Sequence, residues 1–180
     1  MNQSQPGFVD AFSQNFAITP GETALIVIDM QNATGNPDMG LGKLLAERGE
    51  FEGAAYRFNR INELLIPNIQ KLLAGFRTLG SEVIYVTYGA NAPDASDAPA
   101  HMAPIIRATN NIAGQKEHEI VAPLQPQPGE LILNKTTQGA FCSTGLDTTL
   151  RAKGIKTVVT VGVSTNNCVA MTSMEACDLQ

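Results

Sequence analysis

Four runs of apolar and β-branched residues predict strands that are buried on both faces. They cover residues 23–28, 83–88, 131–133 and 157–161. None of them alternates between apolar and polar residues, as a strand with one solvent-facing side would. Unbroken apolar strands are typical of a parallel sheet with helices packed against both of its faces.

Apolar residues at helical spacing occur between these strands. They predict a long helix over 56–79, which kinks at Pro67 or begins just before it and ends at Gly80. The sequence Thr-Gly-Leu-Asp at 144–147 resembles a capping box and predicts the start of another helix, which Gly154 ends.

The remaining segments predict loops and a terminal arm. Residues 32–55 hold five glycines and a proline, which predicts a long loop with one or two helical turns at 41–48. Residues 89–104 are rich in Ala, Pro and Asp and predict an irregular stretch followed by a short helix. Residues 1–22 are expected to form an N-terminal arm, whose Phe8, Phe12 and Phe16 pack onto the domain.

The alternation of strands and helices predicts a three-layer α/β/α sandwich with a mostly parallel central sheet. No internal repeat, low-complexity tract or linker interrupts it. We therefore expect residues 1–180 to form a single domain.

Composition narrows the possible partners and the compartment. The net charge is −5 and no cluster of Lys and Arg occurs, so nucleic acid is not an expected partner. No apolar run approaches the roughly 20 residues that span a bilayer, and the N-terminus lacks the features of a secretory signal. Three cysteines, an odd number, argue against a disulfide framework. The cytoplasm is the expected compartment.

Three chemically reactive side chains follow three of the predicted strands. Asp29 ends the first, Lys135 follows the third, and Cys168 opens the helix after the fourth. Each alone has an ordinary explanation: a turn residue, a solvated charge or a small buried thiol. Because the carboxyl ends of parallel strands share one edge of a sheet, we expect the three to lie together where ligands bind.

These residues form a complete set for nucleophilic catalysis. The first turn of a helix and the ammonium of Lys135 both favour a thiolate at Cys168, and Asp29 can accept the thiol proton. The thiolate would attack a small carbonyl compound, and the chemistry requires no redox cofactor.

Three segments carry a resemblance to a known family. ALIVIDMQN at 24–32, LNKTTQGAF at 133–141 and TVGVSTNNCVAMTSMEACD at 160–178 resemble the isochorismatase-like cysteine hydrolases, which include nicotinamidases, N-carbamoylsarcosine amidase and isochorismatase. The resemblance implies a Rossmann-like sheet, Asp29 as general base, Lys135 as its cationic partner and Cys168 as nucleophile. It also implies a cis peptide before Ser164, with the amides of Ser164 and Cys168 forming an oxyanion hole. Gln31, Tyr88 and Phe141 are expected to bind substrate.

The match to this family has departures and leaves alternatives open. Nicotinamidases bind a metal after the second strand, but residues 94–102 hold a single His, so Asp94, Asp97 and His101 are expected to form a polar loop without metal. Hydrolysis of a C–N bond in a small amide, ureido or carbamoyl compound is the leading hypothesis. Vinyl ether or ester hydrolysis led by Asp29, and a non-catalytic binding or assembly role, are the alternatives.

The resemblance also bears on the end of the chain and on assembly. The family pattern would continue past Gln180 with another strand and helix, so we expect a fold truncated at its C-terminus. The family further implies a homo-oligomer, either a dimer or a tetramer.

Overall fold

The computed structural model describes residues 18–179 and contains a four-stranded parallel sheet. The strands are β1 (Thr23–Ile28), β2 (Glu82–Tyr88), β3 (Leu131–Lys135) and β4 (Thr157–Gly162), in the order β3-β2-β1-β4. β1 pairs in parallel with both β2 and β4, and β2 pairs in parallel with β3. The chain therefore changes direction across the sheet between β1 and β4, which is where open parallel sheets bind ligands.

Seven helices surround this sheet in the part of the chain that the structure describes. They are α1 (Asn32–Gly35), α2 (Gly40–Glu47), α3 (Phe51–Arg60), α4 (Ile66–Thr78), α5 (Ala103–Ala108), α6 (Leu146–Ala152) and α7 (Ala170–Asp178). Wider π-type turns precede α4 at Ile61–Leu65 and α7 at Thr165–Val169. No helix among residues 18–179 is long and apolar enough to cross a membrane.

Successive residues of β1 supply two cores, one on each face of the sheet. Leu25 and Val27 pack in one core with Ile69 and Leu73 of α4. On the opposite face, Ala24, Ile26 and Ile28 pack with Leu146 and Leu150 of α6. All six residues of β1 are buried, as its unbroken apolar sequence requires. The predicted three-layer α/β/α sandwich is confirmed.

Two predictions about the segment between β1 and β2 are wrong. Residues 32–55 form mostly helix instead of a long loop, although the helical turns expected at 41–48 are confirmed as α2. Gly40 and Gly42 allow α2 to pack closely on the preceding backbone. A Cβ at either glycine would lie within 2.4 Å of backbone atoms of Ala33 or Pro37. The following helix begins at Phe51 rather than at residue 56 and widens into the π-type turn just before Pro67, whose nitrogen has no N–H to donate.

Two further local predictions need correction. β4 is half-buried along its length, because it is the edge strand next to β1. A groove of about 600 Å³ lies beside it, between α6 and α7.

The capping box at Thr144 does not form: Gly145 is the N-cap of α6, and the Thr144 hydroxyl accepts a hydrogen bond from the Leu146 amide at 3.1 Å. The predicted N-terminal arm lies largely outside the described residues.

Candidate active site

The carboxyl ends of three strands bring Asp29, Tyr88 and Lys135 together. Asp29 follows β1, and Tyr88 and Lys135 are paired last residues of β2 and β3. The side chain of Lys135 crosses β2, and its Nζ lies 4.7 Å from the centre of the Tyr88 ring. It reaches the carboxylate of Asp29, two strands away.

Asp29 and Lys135 form a buried ion pair. The Nζ of Lys135 donates to Oδ2 of Asp29 at 3.0 Å and to the carbonyl of Thr137 at 3.1 Å. Lys135 is fully buried and Asp29 is 2% exposed. Burial raises the pKa of Asp29, and the charge of Lys135 opposes that shift. The other oxygen, Oδ1, is buried without a hydrogen-bond partner among the described residues.

The backbone of Asp29 holds its carboxylate at the strand end. Its φ angle is 54°, in the left-handed region that a residue other than glycine seldom occupies. The Asp29 amide donates to the carbonyl of Val86 at 2.8 Å, and the Asp29 carbonyl accepts the hydroxyl of Thr34. These bonds fix the turn between β1 and α1.

Cys168 lies in the π-type turn that connects β4 to α7 and interacts with both Asp29 and Lys135. Burial, and then the carboxylate of Asp29, raise the pKa of the thiol to about 12, while Lys135 lowers it. The expectation of a thiolate favoured by the helix start is therefore wrong for the free protein. Burial next to a carboxylate outweighs the ammonium of Lys135, so the thiol keeps its proton.

The turn before Cys168 is contacted by Arg57, a side chain that sequence reasoning missed. The peptide bond between Val163 and Ser164 is cis. The hydroxyl of Ser164 accepts a hydrogen bond at 2.8 Å from Nη1 of Arg57, which comes from α3. A single Arg in the middle of an amphipathic helix gives no sequence signal, because 107 residues separate it from Ser164.

The three predicted substrate-binding residues lie in different surroundings. The amide of Gln31 is occupied by protein: it donates to Asn111 and to the His118 carbonyl and accepts from the Tyr88 amide. Tyr88 is half-buried beneath Lys135, and burial raises the pKa of its hydroxyl. Phe141 is half-buried against the core on the α6 side of the sheet.

The segment that carries Phe141 is bonded to the helix that follows Cys168. The amide of Ala140 donates to the hydroxyl of Thr172 at 3.1 Å, and the amide of Phe141 donates to Glu175 at 3.0 Å. Both acceptors lie on α7. The Lys135 segment and the Cys168 segment are therefore held in fixed relation.

His118 is a second residue near the site that the sequence did not indicate. Burial lowers the pKa of its imidazole, which leaves the ring neutral, and its Nε2 lies 2.9 Å from Oδ1 of Asn134. Because that oxygen is an acceptor, Nε2 carries the proton. His118 and Asn134 form a neutral hydrogen-bonded pair beside the Asp29 carboxylate.

The aspartates of the loop after β2 bond to the loop itself. Asp97 accepts from the backbone amides of Asn91 and Ala92, and Asp94 accepts from the amide of Ser96. His101 is exposed. Within residues 18–179 no three His, Cys, Asp or Glu side chains are arranged to hold a metal ion.

The sequence is similar to that of known amidohydrolases. It is 30% identical to the ureidoacrylate amidohydrolase RutB of Variovorax paradoxus, over 97% of this chain and 71% of that protein. The RutB of Caulobacter segnis is 36% identical, over 86% of this chain and 66% of its own length.

The fold is similar to those of two solved hydrolases. A cysteine hydrolase from Pseudomonas syringae superimposes with a TM-score of 0.71 at 27% identity, covering 91% of this chain and 70% of its own. N-carbamoylsarcosine amidase from Thermoplasma acidophilum gives a TM-score of 0.64 at 25% identity, covering 86% of this chain and 75% of its own. The isochorismatase domain model matches residues 23–179. The chain belongs to the isochorismatase family.

Proposed function

We propose that the chain, a hydrolase, cleaves a C–N bond of a small ureido or carbamoyl compound, with Cys168 as nucleophile and Asp29 as base. The observation that carries this proposal is the environment of Asp29. Lys135 donates to one carboxylate oxygen, and the other is buried without a hydrogen-bond partner among the described residues. The thiol of Cys168 interacts with this carboxylate. A buried carboxylate with a raised pKa is suited to accept a proton near neutral pH.

Proton transfer to Asp29 starts the proposed reaction. The thiol of Cys168 is protonated until a substrate arrives, since its pKa is about 12. As Asp29 takes the proton, the sulfur attacks the substrate carbonyl and the carbonyl electrons move onto oxygen. Lys135 then faces a neutral acid and a negative tetrahedral centre instead of a carboxylate.

The tetrahedral centre then collapses and breaks the C–N bond. The leaving nitrogen takes the proton from Asp29, and a thioester remains on Cys168. Asp29, again a carboxylate, removes a proton from water as that water attacks the thioester, and returns it to the sulfur. We assign the oxyanion to the amide N–H groups of Ser164 and Cys168. Losing one such donor typically lowers kcat by about 100-fold or more.

The relatives support the substrate class. One is named a ureidoacrylate amidohydrolase and another an N-carbamoylsarcosine amidase. In this proposal Tyr88 and Phe141 form walls of the substrate site. Gln31, whose amide already makes three hydrogen bonds to protein groups, aligns the backbone of Tyr88 beside the substrate.

Compartment and assembly complete the proposal. All three cysteines are unpaired, and a nucleophilic thiol functions in a reducing compartment, so we assign the enzyme to the cytoplasm. We also propose that it functions as a dimer or a tetramer, as the family resemblance implies.

Replacement of the nucleophile tests the reaction. We expect Cys168→Ala to abolish ammonia release from ureidoacrylate and carbamoyl compounds, with little change in thermal unfolding. Cys142→Ala, which removes an exposed thiol, is the control and should retain activity. Turnover that survives in Cys168→Ala but is lost in Asp29→Asn would instead support hydrolysis led by Asp29. If both variants retain turnover, both mechanisms are rejected.

A further inference from the structure

Arg57 is a partly buried cation that has no carboxylate partner among the described residues. Its Nη1 donates to the Ser164 hydroxyl at 2.8 Å and its Nη2 to the carbonyl of Thr34 at 3.2 Å. Its Nε is buried and has no hydrogen-bond partner in the part of the chain that the structure describes. Among residues 18–179 no Asp or Glu oxygen lies within salt-bridge distance of it.

The charge of Arg57 is not offset by the rest of the site. Asp29 and Lys135 neutralise each other at 3.0 Å, and the thiol of Cys168 is uncharged. Burial lowers the pKa of Arg57, as expected for a desolvated cation, and negative charge at Cys168 would raise it. An uncompensated, partly buried charge is costly to the folded protein, and an anion bound beside it removes that cost.

The free donors of Arg57 suit a carboxylate. A guanidinium has five N–H donors. Two of them bond to Ser164 and Thr34, which leaves three, including the one on Nε. A carboxylate matches such a planar fork with two parallel hydrogen bonds, whereas a neutral amide cannot.

We propose that Arg57 binds the carboxylate of an anionic substrate and selects ureido or carbamoyl acids over their neutral analogues. This inference rests on the proposed function. Arg57 contacts the residue whose amide we assign to the oxyanion hole. A carboxylate held by Arg57 would therefore lie a few bonds from the carbonyl that Cys168 attacks.

A purely structural role is the competing explanation. Arg57 joins the turn after β1, through Thr34, to the turn before Cys168, through Ser164. If it only held these turns in place, its loss would slow every substrate to the same extent. Binding of a substrate carboxylate would instead affect charged substrates alone.

The experiment compares 3-ureidoacrylate with its uncharged methyl ester in the wild type and in Arg57→Gln, by ammonia release. The wild type should prefer the acid. In Arg57→Gln, kcat/KM for the acid should fall about 10- to 100-fold, mainly through KM, the range for a lost hydrogen bond to a charged group. The value for the ester should change less than about threefold, as for substitutions that remove no substrate contact. Arg60→Gln, exposed on the same helix, should behave as the wild type on both compounds.

The inference fails if the wild type hydrolyses the ester as well as the acid, or if Arg57→Gln loses both activities equally. Either result leaves the proposed function standing, since the ester is still cleaved by the wild type. If the wild type releases no ammonia from either compound or from other carbamoyl compounds, the proposed function itself is rejected. If Arg57→Gln does not fold, Arg57→Lys decides, because it keeps the charge but not the fork. It should weaken the acid alone.

Discussion

At the scale of single residues, the reactivity of the site depends on the protonation states of Cys168 and Asp29. Burial favours the neutral form of both Cys168 and Asp29. The carboxylate of Asp29 raises the pKa of the thiol further, whereas the contact with the thiol lowers the pKa of Asp29. The carboxylate of Asp29 therefore has two opposite effects. It disfavours the thiolate in the free protein, and in the proposed reaction it accepts the thiol proton when a carbonyl compound is attacked.

Replacing Asp29 by Asn separates these two effects. The amide cannot accept the proton, so hydrolysis should be lost. The negative charge that raises the pKa of Cys168 is also lost, while Lys135 remains, so that pKa should fall. Below the pKa, each unit of decrease gives about tenfold more thiolate. Because a less basic thiolate is a weaker nucleophile, the net gain in alkylation rate is about threefold per unit.

The measurement is the rate of Cys168 alkylation by iodoacetamide at pH 7 to 9, followed by mass spectrometry. We expect Asp29→Asn to react faster than the wild type although it hydrolyses nothing. The exposed Cys142 provides an internal reference, and Asp38→Asn, which alters an exposed carboxylate, is the matched control. Slower alkylation in Asp29→Asn would show that Asp29 acts on the thiol only as a base.

At the scale of elements, α7 holds the nucleophile turn against the segment after β3. The amide of Ala140 is completely buried, and the Thr172 hydroxyl is its acceptor. Thr172→Val keeps the shape of the side chain but leaves this amide unsatisfied. We expect the free energy of unfolding to fall by about 1–3 kcal/mol, the cost of a buried unpaired donor. Urea denaturation measures it.

A matched substitution separates the hydrogen bond from helix propensity. Thr148 is exposed on α6, and Thr and Val have similar helix propensities, so Thr148→Val should leave stability nearly unchanged. A loss in Thr172→Val no larger than that of the control would show that the bond to Ala140 contributes little.

The elements also show which parts of the fold the sequence could predict. The strands and the position of Asp29 and Lys135 at their ends follow from local apolar patterns. The extent of helix between residues 32 and 55 does not, although the sequence predicts helical turns at 41–48. Gly40 and Gly42 indicate a loop unless the backbone packed against them is known. The roles of Arg57 and His118 in the site could not be predicted either. Arg57 contacts Ser164, which lies 107 residues further along the chain, and His118 contacts Gln31, which lies 87 residues before it. No local pattern records such contacts.

At the scale of the whole molecule, the buried pair of Asp29 and Lys135 links three strands, and each charge depends on the other for compensation. Removing one member leaves the other charge buried without a partner, which typically costs about 3–5 kcal/mol. We therefore expect Lys135→Met to be destabilised by about that amount at pH 8, as well as inactive. Lys153→Met removes an ion pair to Glu82 in which Lys153 is 43% exposed, and should cost less than about 1 kcal/mol.

The pH dependence of Lys135→Met shows whether the uncompensated carboxylate is the cause. Burial already raises the pKa of Asp29, and without Lys135 no ammonium opposes that shift. The relevant pH range runs from 3.8, the ordinary pKa of an Asp, up to the raised pKa of Asp29 in folded Lys135→Met. In this range Asp29 keeps a proton in the folded state that it has lost in the unfolded chain, so the stability of the variant falls as pH rises. The deficit relative to the wild type should be smaller at pH 4 than at pH 8. The double variant Asp29→Asn/Lys135→Met, which carries neither charge, should regain most of the loss at pH 8. The opposite result would be an equal deficit at both pH values, with a double variant no more stable than Lys135→Met. The loss would then come from the packing of the lysine side chain across β2 and not from the uncompensated carboxylate.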